Sequence, residues 1–130
     1  MRLGISWVVG DISRYPDLVE KSEMVGFTAV GVPDTQAPAY RNVYVAMTLA
    51  VRATRHAQVI TMVTNPRTRH PAVTASAIAT LAELSGNRVA CGIGTGDSAV
   101  AGLGLAPATR RELADHVLAL REDLRRRGCS

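Results

Sequence analysis

The sequence predicts an α/β chain built from four βα units around a parallel sheet. Three observations predict it. Short apolar runs rich in Val and Ile alternate four times with longer segments of helical periodicity. The apolar runs lack polar alternation, the pattern of strands covered on both faces by crossover helices. Turn-forming polar residues also gather after the strands, not before them.

The first run, Arg2 to Val9 (RLGISWVV), stops at Gly10-Asp11 and predicts a buried strand. In RYPDLVEKSEMVGF, Pro16 suits a first helical turn, Asp17 the positive N-terminal end, and Gly26 the position just past the helix. TAVGVPD predicts the second strand, ending at Pro33-Asp34. RNVYVAMTLAVRATR follows, with Tyr44, Met47 and Val51 on one helical face. The third strand is Ala57 to Val63, stopped by Thr64-Asn65-Pro66. Pro71 opens the next helix, in which Ala75, Ile78, Ala79 and Ala82 form a small-residue stripe and Gly86 supplies the end. RVACGIG predicts the fourth strand. Thr109 and Glu112 then form a T-x-x-E capping box. Leu113, Val117, Leu120 and Leu124 continue along one face to Gly128. Two architectures fit this order: a doubly wound open sheet, or part of a (β/α)8 barrel. A complete barrel takes roughly 250 residues.

A length of 130 residues suits one compact domain. With aromatics at 4% of the chain, the core must be built from Ala, Val, Leu and Ile. The basic excess, 15 residues against 11 acidic, gathers at Arg121 to Arg127. That run reads as a solvated helix end, since cations favour helix C-termini. It is not the basic face of a nucleic-acid binder. Cys91, in an apolar run, reads as a buried free thiol, and Cys129 lies in the tail. No Cys or His spacing supports a metal site or a disulfide framework. The first apolar run is too short for a signal peptide, and no apolar run has membrane-spanning length. The expectation is a reduced, cytoplasmic setting with neither nucleic-acid nor membrane partners.

In either architecture function gathers at the C-terminal ends of the strands. Asp34 there could serve as a base or as a hydrogen-bond partner for a cofactor, or simply close a turn. Thr64 and Asn65 could bond a ligand or their own turn. Arg67 and Arg69 could hold an anion, and His70 is placed to cap a helix. Asp97 follows two glycines that would let a ligand approach backbone. His56 and His116 read as structural. No Ser/His/Asp or Cys/His set emerges. Gly94 to Ala99 also fits G-x-G-x-x-A, a dinucleotide fingerprint. Such a motif should open a helix inside the glycine loop and belong to the first βα turn. Here Gly102, Gly104 and Pro107 precede a clear helix start, and three βα units come first.

Val63 to Val100, VTNPRTRHPAVTASAIATLAELSGNRVACGIGTGDSAV, resembles the luciferase-like flavin-dependent oxidoreductases, in the branch of 5,10-methylenetetrahydromethanopterin reductase-like enzymes. GVPDTQ, the RNVYVAMTLA helix and the first strand extend the resemblance across residues 1–125, leaving 126–130 as an unmatched basic tail. The resemblance implies half of a (β/α)8 TIM barrel with four parallel strands. It also implies FMN or coenzyme F-420 at the C-terminal strand ends, and hydride transfer or, with FMN, monooxygenation of a small-molecule substrate. Asp34 matches the acidic residue that approaches the flavin-type ring in relatives. Thr64 would be a ring contact at a bulge backing the ring. Thr95, Gly96 and Asp97 match fourth-strand contacts, with Asp97 at a position that is catalytic in some relatives. Thr35 departs from a His carried by some F-420 relatives, and Asn87 stands where many have Gly. The larger departure is the second half of the barrel, which this chain does not carry. Three outcomes then stand open: a truncated product, self-association or pairing with a second half-barrel, or rearrangement into an open sheet. The alternative is a non-catalytic half-barrel or interaction module without cofactor.

Overall fold

The computed structural model describes residues 2–129. Met1, in the predicted domain, and Ser130, in the predicted tail, lie outside the described residues. In chain order the elements are β1 (Gly4–Ser6), α1 (Tyr15–Met24), β2 (Ala29–Val32), α2 (Val43–Ala53), β3 (Gln58–Thr64), α3 (Pro71–Ser85), β4 (Val89–Ile93), α4 (Asp97–Ala101) and α5 (Arg110–Arg126). The strands form one parallel sheet in the order β1-β2-β3-β4. The α/β class and the four parallel units stand as the sequence predicts.

Local chemistry explains most of the boundaries. Pro16 and Pro71 sit in first helical turns. Asn42 caps α2 by accepting from the N–H groups of Tyr44 and Val45, and His70 caps α3 through Nδ1, which accepts from Ala72. Both arms of the Thr109–Glu112 capping box are formed. The helix α5 runs on through Arg126, so the predicted tail begins helical, with Arg125 and Arg126 paired to Glu122.

Two differences from the sequence reading have physical causes. The first strand shrinks from Arg2–Val9 to three residues, because β1 is an edge with a partner only in β2. A short helix, α4, also starts directly after Gly96, inside the glycine loop where no helix was expected. It ends after five residues at Gly102 and does not become the crossover helix. That role falls to α5, which packs on α3.

One face of the sheet holds the core. Val30, Val32 and Val59 are fully buried against Val43, Ala46, Met47 and Ala50 of α2. The opposite face has no layer over it among the described residues. Met62 and Val63 stand there 51% and 45% exposed. Cys91, expected to be buried, is only half-buried.

The tight αβ turn after α3 uses two consecutive left-handed residues, Gly86 at φ 65° and Asn87 at φ 63°. Asn is one of the few side chains that tolerates this region. Asn87→Gly is therefore expected to stabilise the chain by about 0.5 kcal/mol, read as a raised urea midpoint with unchanged slope.

Helix α5, which packs on α3, carries a buried histidine. His116 is 8% exposed, and its Nε2 has no hydrogen-bond partner. Burial, and then the neighbouring His70, hold its pKa below the ordinary histidine value. The unfolded chain therefore binds the extra proton more readily. Stability is full above about pH 6.5, the unperturbed value, and falls as the pH drops below it. Melting temperature should decline from pH 7 to pH 5, and His116→Leu should make that decline shallower.

Candidate functional site

The C-terminal ends of the strands carry one buried polar cluster. Its centre is Asp34, 2% exposed, just past β2. Its Oδ2 accepts from Thr64 Oγ1 at 2.7 Å and from Arg69 Nη1. Its Oδ1 accepts from Gln36 Nε2 at 2.8 Å and from Arg69 Nη2 at 3.0 Å. Arg69 thus grips both oxygens in the bidentate manner that suits a planar guanidinium. The guanidinium also lies 5.0 Å from the centroid of the Tyr44 ring. Tyr44 is half-buried, and burial raises its phenol pKa.

This cluster joins four elements. Asp34 follows β2, Thr64 ends β3, and Arg69 lies one residue before the α3 cap, while Tyr44 opens α2. Thr64 and Asp34, both candidates from the sequence, are brought together directly. Arg69 does not hold an external anion, because the Asp34 carboxylate occupies it. Arg67 is occupied as well: it bonds the Glu112 carboxylate at 2.9 Å through each of two nitrogens and the carbonyls of Ala106 and Pro107. It clasps the β3–α3 loop to the start of α5.

Beside the cluster, β3 ends in a bulge. Its register with β4 shifts between Thr61 and Thr64, and the Met62–Val63 peptide is cis. The neighbouring strand must yield space. A Cβ on Gly92 would run into the carbonyl oxygen of Thr61, so only glycine fits there. Gly96 has φ 86°, and a Cβ there would lie 2.8 Å from the Asn65 Cβ. The close approach allowed by this glycine is to Asn65 itself. Asn65 is 1% exposed; its Oδ1 accepts from the N–H groups of Arg67 and Thr68, while Nδ2 has no partner. Thr95 is half-buried with its carbonyl accepting from Ala108 N–H. Asp97 opens α4, is exposed, and takes no part in the Asp34 network. Cys91 is held by a Thr61 hydroxyl 3.8 Å from Sγ, and burial pushes its thiol pKa up.

The sequence reading missed Tyr44 and Gln36 as members of the cluster and the pairing of Arg69 with Asp34. The signal available was charge: Asp34 is an acidic residue expected at a buried strand end, and Arg69 lies in the loop that follows the neighbouring strand.

A parallel α/β sheet with its polar cluster at the C-terminal strand ends defines the class: part of a barrel of βα units. Residues 5–128 match the family model of the luciferase-like monooxygenases, and the chain belongs to that family. It is 38% identical over 103 residues to 5,10-methylenetetrahydromethanopterin reductase of Methanolobus tindarius, covering 76% of this chain and 30% of that protein. The chain thus spans under a third of the length of this relative. Its fold is similar to the coenzyme F-420 dependent tetrahydromethanopterin reductase of Methanopyrus kandleri, with TM-score 0.80 and 27% identity, covering 95% of this chain and 39% of that one. It is also similar in fold to the oxygenating constituent of 3,6-diketocamphane monooxygenase of Pseudomonas putida in complex with FMN. That match has TM-score 0.72 and 19% identity, over 98% of this chain and 38% of that one. No described helix is long and apolar enough to cross a membrane.

Proposed function

We propose that these strand ends form the ring-binding side of a cofactor site, for coenzyme F-420 or FMN, in an oxidoreductase acting on a small-molecule substrate. The observation that carries this reading is the bulged end of β3. Met62 and Val63 are exposed on the open face of the sheet, and Gly94 next to Val63 brings no side chain to cover it. A flat apolar wall is thus bordered by polar groups, the composition that ring-binding pockets share. The similarity to an F-420 dependent reductase supports the same reading.

The residues fit such a group in distinct ways. Met62 and Val63 would supply the surface under the ring. Gly96 would keep the β4 end low, and Thr95 and Asp97 would offer polar contacts at its margin. Asp34 and Thr64 are bonded to each other. Thr64, wholly buried, would back the ring site from this bond, and Asp34 would hold Thr64 and Arg69 in place. A bound cofactor of this type supplies the hydride that is exchanged with substrate or, as FMN, reacts with oxygen. Asp97, exposed and outside the Asp34 network, is the carboxylate free to exchange a proton.

The competing reading is a half-barrel that keeps the fold without cofactor. It is favoured by the engagement of both Asp34 oxygens with protein donors. Titration with F-420 and with FMN separates the two. Binding should quench cofactor fluorescence and raise the melting temperature. Asp97→Ala should weaken binding without changing the melting temperature of the free protein. No response to either cofactor overturns the proposal.

A further inference from the structure

The sheet has two free edges, and they match each other. All four strands run parallel in sequential order, so β1 and β4 are the outer strands and neither pairs on its far side among the described residues. Free edges of parallel strands are exposed hydrogen-bonding templates. A two-fold axis along the strand direction would lay the β1 of a second copy beside β4, and the β4 of that copy beside β1. Both new pairings would be parallel, like the three already present.

The uncovered face carries the same pattern. Register sets Gly31, Ile60 and Ala90 in one row, and Ala29 beside Gln58 in another. On this face β1, β2 and β4 bring only Gly4, Ser6, Ala29, Gly31, Ala90 and Gly92. Only β3 brings longer side chains: Gln58, Ile60 and Met62. Space over the small ones is already used, since a Cβ on Gly31 would lie 2.7 Å from Met62 Sδ. In a closed ring of eight strands the two β3 strands stand diametrically opposite. Their long side chains would then meet across the axis, with small residues on the strands between them. Alternation of large and small residues is how a small barrel is filled.

The edge of β4 has room for a strand. A groove of about 340 Å³ lies there, lined by Ile78, Ala82, Val89, Cys91 and Leu124 among others. Its lining mixes apolar side chains with polar surface, Asn87 included, and Ile5 of β1, in the row that faces the helices beside Val30, would meet the apolar part.

We infer that the partner of this surface is a second copy of the same chain, the two closing into one eight-stranded barrel. The inference deepens the proposed function by naming the partner at the same strand ends, and it rests on that reading only for what the shared mouth binds. Closure removes every edge, and it places both copies of Thr64, Thr95 and Asp97 around a single mouth.

Light scattering on the purified chain tests this. The expected mass is twice the 13.8 kDa of one chain. Ile60→Arg should reduce the mass to that of one chain with the circular dichroism of the parent, because it buries like charges at the axis. Met62→Arg, at a position 51% exposed in the single chain, does the same should Ile60→Arg fail to fold. A one-chain mass for the unaltered protein, an open series of larger species, or a dimer insensitive to Met62→Arg overturns the inference. The two readings fail separately. A dimer that binds neither cofactor removes the site and keeps the partner; a single chain that binds F-420 does the reverse.

Discussion

Arg69→Met should cost about 3–5 kcal/mol of folding stability, the range for breaking a buried ion pair by removing one partner. The Asp34 side chain is 1% exposed and that of Arg69 only 14%. Removing the guanidinium leaves a carboxylate out of contact with water, held only by Thr64 and Gln36. Arg69→Lys should fall between the parent and Arg69→Met. It restores the charge but cannot bond both oxygens or lie flat over Tyr44.

The pair need not be a net source of stability. Desolvating two ions costs several kcal/mol, and apolar replacements of similar volume can do as well. The double variant Asp34→Leu with Arg69→Met should therefore recover much of what Arg69→Met loses. Urea unfolding at constant slope measures all four proteins of the cycle. An Arg69→Met midpoint corresponding to a loss below about 1 kcal/mol would show that water reaches this pair and that the cluster does not order the strand ends.

The elements legible in the sequence are those with a local cause. Pro71, Gly86 and the Thr109–Glu112 box mark ends through bonds within a few residues, and those ends are where the sequence puts them. The parallel order also follows from patterning, but the open face does not, since strands without polar alternation predict cover on both faces. What was not legible depends on contacts distant in sequence. Asp34 is gripped by Arg69 across 35 positions, a pairing no local pattern announces. Gly94 and Gly96 were read as space for a ligand, yet Val63 and Asn65 already press on them. A glycine in a sequence reports that something comes close; it does not report what. The helix α4 was hidden for a related reason, because five residues between glycines carry too short a period to read.

The least legible residue is Arg88, on the far side of the sheet from the proposed site, and its loss is the second large effect expected. All three of its guanidinium nitrogens are engaged without any carboxylate. Nε donates to the Ser85 carbonyl; Nη1 donates to Thr54 Oγ1 and the Ala57 carbonyl; Nη2 donates to the carbonyls of Val51 and Thr54. One side chain thereby satisfies the C-terminal end of α2, the end of α3 and the entry to β3. The last carbonyls of a helix have no partners of their own, and a cation there also meets the negative end of the dipole. Beside it the Glu23 carboxylate accepts from the N–H groups of Arg55, His56 and Ala57. Burial raises the Glu23 pKa, but these donors outweigh it and leave the value below the usual carboxylate range. The two side chains hold the α2–β3 turn from opposite charges, one by its carbonyls and one by its N–H groups. Hydrogen bonds to a charged group contribute about 1.5–3 kcal/mol each, but bonds sharing one side chain do not add. Arg88→Met is expected to cost about 3 kcal/mol. It should leave the local geometry at Asp34 intact, since no bond connects the two clusters. Hydrogen exchange distinguishes this loss from that of Arg69→Met. Arg88→Met should speed exchange first in α2 near Ala53 and at the start of β3, whereas Arg69→Met should do so at Thr64 and the first turn of α3. Uniform acceleration in both variants would mean that the sheet opens only as a whole, and that neither cluster governs its own end.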